Sequence, residues 1–457
     1  ETLTERYENV YDSISDLRPT DVFETYMNSV AHTLDPHSSY LSPRQSEEYR
    51  IQMSLSYDGI GARLSVEDDM VTVVEIIPGG PAELDGRLKP EDRITGVGEG
   101  VEGDFTDVVG WRIDDVVDRI RGPGGTTVRL QILPAGAAPG SPQNVLAITR
   151  DKIKLEEQAA QSELLDVDLD GEPYKVGVIE VPSFYQDFAA RSRGEADYTS
   201  TSRDVARLIS ELEAQGMDGL VMDLRQNGGG HLTEATELSG LFIDQGPVVQ
   251  LRETPGNVEV LDDPNPSAVY DGPLVVLVDR FSASASEIFA AAIQDYQRGI
   301  IIGQQTFGKG SVQNLFDLDR YIRGSANGQL TLTTGKYYRI TGESTQHRGV
   351  YPDIELPSFV DVENVGESTR DTALPWDRIQ PTRFSQLPSL LDEIEGLTVE
   401  QASQSNLDPN LDFLLAEIEA VEENRDREEF SLNLAGRQAE LEAAEAEQLA
   451  RENERRA

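Results

Sequence analysis

The first fifty residues are polar, and their apolar side chains recur at helical spacing. A turn and cap signal at 18–21 starts a segment whose pattern continues through Tyr26 and Val30, which predicts a helix. Proline and serine then accumulate at 34–43, which predicts a loop. We therefore expect residues 1–50 to form a helical segment that is too short to be a domain alone.

Short strands are expected between residues 51 and 150, because apolar and polar residues alternate there in runs separated by glycine and proline. The runs with this period are 59–66, 70–77, 94–97 and 126–133. Residues 113–120 carry apolar side chains at helical spacing and predict a helix. The run at 126–133 is expected to be the last strand of the segment.

Residues 151–357 alternate predicted strands with predicted helices, which is typical of a layered α/β core. The apolar runs that predict strands are 176–181, 219–224, 274–278, 300–302 and 330–338. The patterns that predict helices are 202–215 and 286–296. Beyond residue 357 the chain becomes acidic and helical, and 411–457 is expected to be a solvated terminal helix.

Charge limits the kinds of partner that the chain can bind. Its 457 residues include 83 acidic and 39 basic residues, which gives a formal net charge of −44. Nucleic acids and anionic membrane surfaces bind basic patches, so neither is expected to be the main partner. Only six of the basic residues are lysines. Lysine loses its proton far more readily than arginine, so each lysine is worth considering as a base.

The chain has no cysteine, which excludes thiol catalysis, thiolate metal sites and disulfides. No apolar run approaches the roughly 20 residues that a membrane span needs. No signal peptide is present, but the chain begins at Glu1 without a methionine. A targeting segment can have been removed, so the absence of one says little about the compartment.

Three glycines, 228–230, follow the predicted strand that ends at Leu224. Such a row exposes backbone N–H groups, which are the donors that stabilise an oxyanion in acyl transfer. The same triplet also suits an ordinary strand-to-helix turn. Taken on its own, the triplet favours the turn.

A serine-rich stretch, 279–287, lies between a predicted strand and a predicted helix. A nucleophile at the amino end of a helix would sit where the helix dipole favours developing negative charge. Ser284, followed three residues later by Glu287, also fits a capping box, which is a purely structural role. Spacing alone does not choose among Ser282, Ser284 and Ser286.

A glycine-flanked lysine, Lys309, lies within 303–313 and nearly matches a phosphate-binding P-loop. However, Gly310 stands where a P-loop needs the serine or threonine that binds Mg²⁺. The residues that follow, 311–316, alternate like a strand, whereas a P-loop opens a helix. We therefore do not expect a nucleotide-binding site here.

Serine chemistry needs a base, and two types are open. The chain has four histidines, and His231, beside the glycine triplet, is the serious candidate for a classical triad. The alternative is a lysine kept neutral by burial, which lowers its pKa. The sequence contains no His-Glu-x-x-His motif or comparable cluster of ligands, so we expect no metal and no cofactor.

The β-rich segment resembles a PDZ domain. The resemblance is carried by Gly-Ile-Gly-Ala at 59–62, Pro-Gly-Gly-Pro-Ala at 78–82, Asp-Arg-Ile at 92–94 and the helix end at 116–122. In PDZ domains the amides of such a loop bind the C-terminal carboxylate of a peptide, which adds a strand beside the next β-segment. The peptide-binding residues that this implies are Gly59, Ile60, Gly61, Ala62, Leu64, Val116 and Ile120.

Longer motifs extend a second resemblance across most of residues 30–357. They are Asp-Leu-Arg-Gln-Asn-Gly-Gly-Gly (223–230), Asp-Arg-Phe-Ser-Ala-Ser-Ala-Ser-Glu-Ile-Phe-Ala-Ala-Ala (279–292), Thr-Phe-Gly-Lys-Gly-Ser-Val-Gln (306–313) and Gly-Glu-Ser-Thr-Gln-His-Arg-Gly-Val-Tyr-Pro-Asp-Ile (342–354). Together they are similar to the carboxyl-terminal processing proteases, and above all to their periplasmic tail-specific branch. This chain lacks most of the N-terminal helical region of that branch and is far more acidic.

The resemblance implies a multidomain α/β protein. The expected parts are a helical remnant of a larger domain at 1–50, a PDZ domain and connector at 51–150, a ClpP/crotonase-like Ser/Lys protease core at 151–357 and an acidic helical region at 358–457.

The same resemblance assigns roles within the core. The implied roles are nucleophile for Ser284, general base for Lys309, orientation of the lysine for Gln313, and oxyanion donors for the amides of Ala285 and either Gly229 or Gly230. Asp295 matches an acidic position of the periplasmic branch, and a helix-end acid without a catalytic role is an equal alternative.

The expected function is therefore that of a periplasmic serine endopeptidase of a Gram-negative bacterium, with polypeptides that carry apolar C-termini as substrates. An adaptor protein and peripheral association with the inner membrane are further partner hypotheses. Two alternatives stay open. One is a non-catalytic PDZ scaffold, and the other is a serine hydrolase that uses His231 as its base.

Overall fold

The computed structural model describes residues 2–456 except 68, 139, 170, 255, 264, 266, 325, 405–407, 426 and 428. The chain divides into two compact units. The first unit comprises Glu1–Glu47, Ala160–Phe184 and Ser200–Ala457, and the second comprises Glu48–Ala159 and Tyr185–Thr199.

The helices and strands are numbered along the whole chain. The α-helices are α1 (Thr2–Ser15), α2 (Pro19–Ala31), α3 (Pro43–Ser54), α4 (Pro81–Asp85), α5 (Ile113–Ile120), α6 (Phe188–Ser192), α7 (Thr201–Ala214), α8 (Leu232–Ser239), α9 (Ala285–Asp295), α10 (Leu391–Gln404), α11 (Pro409–Arg425) and α12 (Leu434–Arg456). The strands are β1 (Ser39–Leu41), β2 (Ser56–Gly59), β3 (Ala62–Glu67), β4 (Met70–Ile76), β5 (Arg93–Glu99), β6 (Thr106–Asp107), β7 (Thr127–Leu133), β8 (Asn144–Thr149), β9 (Asp151–Lys154), β10 (Gln161–Leu169), β11 (Glu172–Glu180), β12 (Gly219–Asp223), β13 (Pro247–Glu253), β14 (Val258–Asp262), β15 (Leu274–Val278), β16 (Ile300–Gly303), β17 (Ser311–Asp317), β18 (Gln329–Tyr338) and β19 (Ile354–Glu355).

The first unit is built on a mostly parallel sheet with the strand order β10-β11-β12-β15-β16-β19. Strands β11, β12, β15 and β16 run parallel to one another, and β10 is antiparallel to β11. In β12 and β15 the residues on one face, such as Met222 and Val276, are fully buried, and the residues on the other face are half-buried. The strands predicted at 219–224, 274–278 and 300–302 are confirmed.

Helix α9 connects β15 to β16 and packs into the core of this unit. Its sequence is apolar on nearly every side, as expected of a helix that is surrounded by protein. Phe289, Ala290 and Ile293 are fully buried. The amino end of α9 is therefore held firmly next to the carboxyl ends of the parallel strands.

A second sheet of the first unit, with the order β1-β18-β13-β14, carries β17 as a further partner of β18. Strand β1 comes from the segment that the sequence marked as a loop, and it pairs antiparallel with β18 between Ser39↔Thr331 and Leu41↔Gln329. Strands β17 and β18 form an antiparallel hairpin. The alternation at 311–316 is therefore a strand, which agrees with the argument against a P-loop.

The second unit contains the predicted PDZ region. Its main sheet has the order β3-β4-β5-β7-β8, with β6 paired to β5, and a separate ribbon pairs β2 with β9. The helix predicted at 113–120 is confirmed as α5. The prediction that 126–133 is the last strand is wrong, because β8 pairs with β7 from Thr127↔Thr149 to Ile132↔Asn144. The stretch between these strands is rich in glycine and proline, which predicted the end of the β-segment, so β8 was not predicted.

The acidic C-terminal part forms helices, as its composition predicts. The single terminal helix expected at 411–457 is two helices, α11 and α12, which are joined by an ion pair between Arg451 and Glu417. No residue of α11 is buried, as expected for a solvated helix. None of the helices among the described residues is long and apolar enough to cross a membrane.

Candidate active site

Parallel pairing brings two of the predicted segments to the same edge of the sheet. The glycine triplet follows β12 and the serine-rich stretch follows β15, and these two strands are parallel neighbours from Leu220↔Leu274 to Asp223↔Leu277. A side chain at Gly229 would place its Cβ 2.8 Å from the Ser284 Cβ. The two segments are therefore in direct contact, and only a glycine fits at that position.

Accessibility distinguishes the three serines that spacing could not separate. The Ser282 hydroxyl donates to the Leu224 carbonyl at 2.8 Å, and the Ser286 hydroxyl donates to the Asn227 carbonyl at 2.9 Å. Both of these serines are fully buried, whereas Ser284 is partly exposed. Ser284 is thus the serine of this stretch that a substrate can reach.

The backbone of Ser284 adopts an unusual conformation. Its φ of +57° lies in the region that residues with a Cβ rarely adopt, and α9 begins at the next residue. A strained turn between a strand and a helix is the arrangement that presents the nucleophile in many serine hydrolases. The conformation therefore favours a functional role for Ser284.

The buried carboxylate of Glu287 joins the serine segment to the lysine segment. Its Oε2 atom accepts hydrogen bonds from the amides of Ser284 at 2.8 Å and Lys309 at 2.9 Å. Its Oε1 atom accepts from the Gly308 amide at 2.7 Å and the Thr306 hydroxyl at 2.6 Å. Because two of these bonds end on one oxygen atom, the amide nitrogens of Ser284 and Lys309 lie no farther apart than the sum of the two distances.

Tyr337, on β18, makes a second link between the same two segments. Its buried hydroxyl lies 3.2 Å from the Ser284 carbonyl oxygen and also within hydrogen-bonding distance of the Lys309 carbonyl oxygen. Sequence reasoning missed Tyr337 altogether and treated Glu287 only as a capping residue. No local pattern marks either role, because both depend on contacts between distant parts of the chain.

The surroundings of Lys309 favour its neutral form only in part. Burial lowers the pKa of the Lys309 ammonium below its usual value, while the negative charges of Glu367, Glu287 and Asp35 act in the opposite direction. The net shift is downward, which is the direction that a general base needs at neutral pH.

The backbone amides of Lys309 and Ser284 lie close together, but among the described residues the side chains of Lys309 and Gln313 are not hydrogen-bonded to Ser284. In the part of the chain that the structure describes, no hydrogen bond joins the Ser284 hydroxyl to the Lys309 ammonium, and none joins Gln313 to Lys309. The Gln313 side-chain amide donates instead to the hydroxyls of Ser311 at 2.9 Å and Thr333 at 3.0 Å. The catalytic dyad and the orienting role of Gln313 therefore stay predictions.

The candidate oxyanion donors differ in their availability. The Gly229 amide already donates to the Asn227 side chain at 2.9 Å. The amides of Ala285 and Gly230 have no acceptor among the described residues, and Ala285 is the first residue of α9. The amide at the first position of a helix is free of intrahelical bonds and points outward.

Asp295 lies at the opposite end of α9 from Ser284, whereas His231 directly follows the glycine triplet. Asp295 is the last residue of α9, about 15 Å along the helix from its first residue, and it forms an ion pair with Arg339. His231 lies at the amino end of α8, where its backbone amide donates to the Phe184 carbonyl at 2.8 Å. Among the described residues, no group of three or more His, Asp or Glu side chains is arranged as a metal site.

Four known protein families match successive parts of the chain. Peptidase family S41 matches residues 175–356, and a PDZ domain matches 48–133. The tail specific protease N-terminal domain matches residues 1–44, and the C-terminal domain of tail specific protease matches 360–457.

Three curated relatives are similar over most of the chain. The tail-specific protease of Haemophilus influenzae is 41% identical over 462 residues, which cover 99% of this chain and 63% of the relative. The carboxy-terminal processing protease CtpA of Bacillus subtilis is 33% identical over 71% of this chain and 62% of its own length. The carboxyl-terminal-processing protease of Synechocystis is 32% identical over 78% of this chain and 77% of its own length. This chain belongs to peptidase family S41. It spans less than two thirds of the Haemophilus and Bacillus relatives.

The PDZ domain of this S41 family member brings the predicted peptide-binding residues together. Ile60, Val116 and Ile120 are buried in one hydrophobic cluster, and Leu64 packs against it. Gly61 has a φ of +76°, and a Cβ there would lie 3.1 Å from the backbone of Gly80. Strand β3 is at the edge of its sheet, so its outer side is open to a further strand.

The buried carboxylate of this S41 site leads to a prediction about stability. Burial raises the pKa of Glu287 to about 7 from an unfolded value of 4.5, although its four hydrogen bonds act in the opposite direction. Between these pH values the folded protein binds more protons than the unfolded one, so the free energy of unfolding falls as the pH rises. We expect Glu287→Gln to remove this fall, which is worth about 3 kcal/mol at most.

Urea unfolding at pH 5, 6, 7 and 8 measures this effect. The Gln variant changes the stability at every pH through its altered hydrogen bonds, so the slope with pH is the informative quantity and the absolute value is not. Parallel pH curves for the wild-type protein and the variant would contradict the prediction.

Proposed function

We propose that this chain is a serine endopeptidase that recognises the C-terminal tails of polypeptides with its PDZ domain and cuts them with Ser284 and Lys309. The observation that carries the proposal is the Glu287 carboxylate, which holds the amides of these two residues on one oxygen atom. A nucleophile and a base from separate segments are thereby kept close together. The proposed domains are a helical N-terminal segment (1–50), a PDZ domain with its connector (51–150), the protease core (151–357) and an acidic helical C-terminal region (358–457).

In the proposed reaction, neutral Lys309 accepts the proton of the Ser284 hydroxyl as the hydroxyl oxygen attacks the scissile carbonyl carbon. The C–N bond of the tetrahedral intermediate then breaks, and the new amine leaves with the proton that Lys309 held. The acyl group stays on Ser284 as an ester. Water hydrolyses this ester, again with Lys309 as the base, and releases the acid.

The negative charge of the tetrahedral intermediate needs donors that are in place beforehand. We propose the amides of Ala285 and Gly230 for this role, because both lack an acceptor among the described residues while the Gly229 amide is engaged by Asn227. The amino end of α9 adds the favourable field of its dipole.

Tail recognition follows from the open edge of β3. A peptide that pairs with β3 would place its last carboxylate at the Gly59–Ala62 loop, where Gly61 leaves the backbone unobstructed. The partly exposed side chain of Leu64 is apolar, so an apolar tail is the preferred ligand, and the buried side chains of Val116 and Ile120 pack beneath it. In the protease core, Gln313 is proposed to orient Lys309. Asp295 is proposed to have a structural role and no part in the reaction.

The resemblance to the periplasmic tail-specific branch supports the periplasm of a Gram-negative bacterium as the compartment. An adaptor protein and peripheral association with the inner membrane are proposed only as partners to look for. The non-catalytic scaffold and the His231-based hydrolase are the alternatives that the experiments below separate from this proposal.

The test uses one unfolded polypeptide with two different C-termini, an apolar tail and a tail that ends in aspartates. We expect the apolar version to be cleaved at least about tenfold faster, because the tail increases the local substrate concentration. The Ser284→Ala variant controls for contaminating proteases. Equal rates for the two tails would refute tail recognition, and absence of cleavage together with no labelling of Ser284 by a fluorophosphonate would refute the protease.

A further inference from the structure

The segment 35–38 lies in the N-terminal part of the first unit. Two series of hydrogen bonds, the first and second routes, connect it to residues around Lys309. The sequence marked this segment only as a loop. It contains an acid and a histidine for which the proposed reaction has no use. Both side chains make partly buried hydrogen bonds with residues about 300 positions later in the chain.

The first route runs from Asp35 to Gln313. The Thr333 hydroxyl donates to the Asp35 carboxylate at 2.8 Å, and the Gln313 side-chain nitrogen lies 3.0 Å from the same hydroxyl. A hydroxyl has one proton and a carboxylate can only accept, so the Thr333 hydroxyl donates its proton to Asp35. The Thr333 oxygen must then accept from Gln313.

This assignment fixes the orientation of the Gln313 amide. Its nitrogen faces Thr333 and Ser311, so its carbonyl oxygen faces the other way and is left to accept from a donor such as the Lys309 ammonium. If Asp35 did not take the Thr333 proton, the amide could turn over and offer the lysine a donor instead of an acceptor. Asp35 thus determines whether the oxygen or the nitrogen of the Gln313 side-chain amide is available to Lys309.

The second route runs from His37 to the residue after Lys309. The His37 Nε2 atom donates to the Glu367 carboxylate at 2.8 Å, and the other oxygen of that carboxylate accepts from the Gln346 side chain at 2.8 Å. The Gln346 oxygen in turn accepts from the Gly310 amide at 2.7 Å. Glu367 and Gln346 are fully buried, so water does not compete for these bonds.

Arg280 holds the segment that precedes Glu367 in the second route. This buried guanidinium donates to the Val365 carbonyl at 2.6 Å and the Val362 carbonyl at 2.9 Å, and it also bonds the Thr306 carbonyl. It therefore ties the strand-to-helix turn before Ser284 to the segment that carries Glu367 and to the segment that carries Lys309.

We infer that Asp35, His37, Thr333 and Glu367 are positioning residues for the base Lys309. They form a brace in which the N-terminal segment fixes Gln313 through Thr333 and fixes the Gly310 backbone through Glu367 and Gln346. The inference rests on the proposed function, because it assigns these residues to the reaction of Ser284 and Lys309. None of them contacts the substrate in this scheme.

The brace also sets the charges that face Lys309. The groups concerned are the carboxylates of Asp35, Glu287 and Glu367, and His37 is bonded to the last of them. Burial raises the pKa of Glu367, but the hydrogen bond and charge of His37, the Gln346 amide and the charge of Lys309 outweigh burial and lower it. Glu367 is therefore a carboxylate at neutral pH, and its removal favours neutral Lys309.

Two matched substitutions on β18 test the first route with the full chain. Thr333→Val removes the hydroxyl without changing the shape, and we expect kcat for the apolar-tailed substrate to fall at least about tenfold with KM within about threefold. Thr333→Ser keeps the hydroxyl and should restore most of the turnover. Thr334→Val changes the neighbouring threonine, whose hydroxyl accepts from the exposed Asn314 side chain, and should leave kcat unchanged.

Glu367→Gln tests the second route by a quantity that a purely structural role does not move. Loss of a negative neighbour lowers the pKa of Lys309, so the acid limb of the kcat/KM profile should move to lower pH. With six lysines in the chain, protein labelled with ¹³Cε-lysine allows the Lys309 titration to be followed directly. This second measurement does not depend on activity.

The outcomes separate the inference from the proposed function. Wild-type kcat in Thr333→Val, equal loss in Thr333→Val and Thr333→Ser, or an unchanged Lys309 titration in Glu367→Gln would overturn the brace. Cleavage at the wild-type rate by Lys309→Met would overturn the proposed function whatever the titration shows. A shifted titration with loss of turnover in Thr333→Val alone supports both.

Discussion

Replacing Lys309 by methionine should lower kcat/KM for an apolar-tailed substrate by about 10³-fold or more. Methionine keeps the length and the apolar stem of lysine but cannot accept a proton. The backbone amide of residue 309 would still donate to Glu287, so the segment should keep its place. Steady-state cleavage measures the loss, and the unfolding midpoint checks that the fold is intact.

The matched comparison is His231→Ala. His231 lies at the start of α8, and on the Ser/Lys proposal its loss should change kcat/KM by no more than about threefold. A large loss in His231→Ala together with full activity in Lys309→Met would establish the His231-based hydrolase. If neither variant nor the wild-type protein cleaves, and Ser284 forms no acyl-enzyme, the PDZ scaffold is the better description.

Gly229→Ala should lower kcat by about 100-fold or more, because its Cβ has no room. It would stand 2.8 Å from both the Ala283 carbonyl oxygen and the Ser284 Cβ, and 3.0 Å from the Ala285 amide nitrogen. The φ of +104° at this position adds strain for any residue with a Cβ. The nucleophile and an oxyanion donor must therefore shift away from their positions, which a kcat measurement detects.

The adjacent Gly228 supplies the control. A Cβ at Gly228 has no atom within 4 Å among the described residues, and its φ does not lie in the positive region. Gly228→Ala should therefore keep kcat within about threefold of the wild-type value. Equal losses at the two glycines would show that flexibility of the triplet matters, and no loss at Gly229 would refute the proposed contact with the nucleophile.

These predictions share one structural feature, which is that the proposed nucleophile and base belong to separate segments. Ser284 directly precedes α9, which follows strand β15 of the parallel sheet, and Lys309 precedes the β17–β18 hairpin of the second sheet. Glu287 and Tyr337 hold the two backbones together from within the core. A change in either of these residues should therefore affect activity through the distance between segments and not through lost chemistry.

The sequence predicted the local elements of the α/β core well. The apolar runs of β12, β15 and β16 are continuous because one face of these strands is buried and the other is at least half-buried, and that property is visible in a short window of residues. The helix α5 was predicted with its observed bounds for a similar reason, since its apolar residues face one core. The motifs around Ser284 and Lys309 were also visible, because each lies within one short segment.

The sequence by itself determined which elements form and which segments carry the chemistry, because periodicity and turn residues act within a few positions of the chain. Only the tertiary structure decided which of the three serines is accessible, that Glu287 bonds two segments, and that the charges of Asp35 and Glu367 act on Lys309. Hydrogen bonds between residues hundreds of positions apart leave no local pattern. They exist only once the strands have paired and brought their ends together.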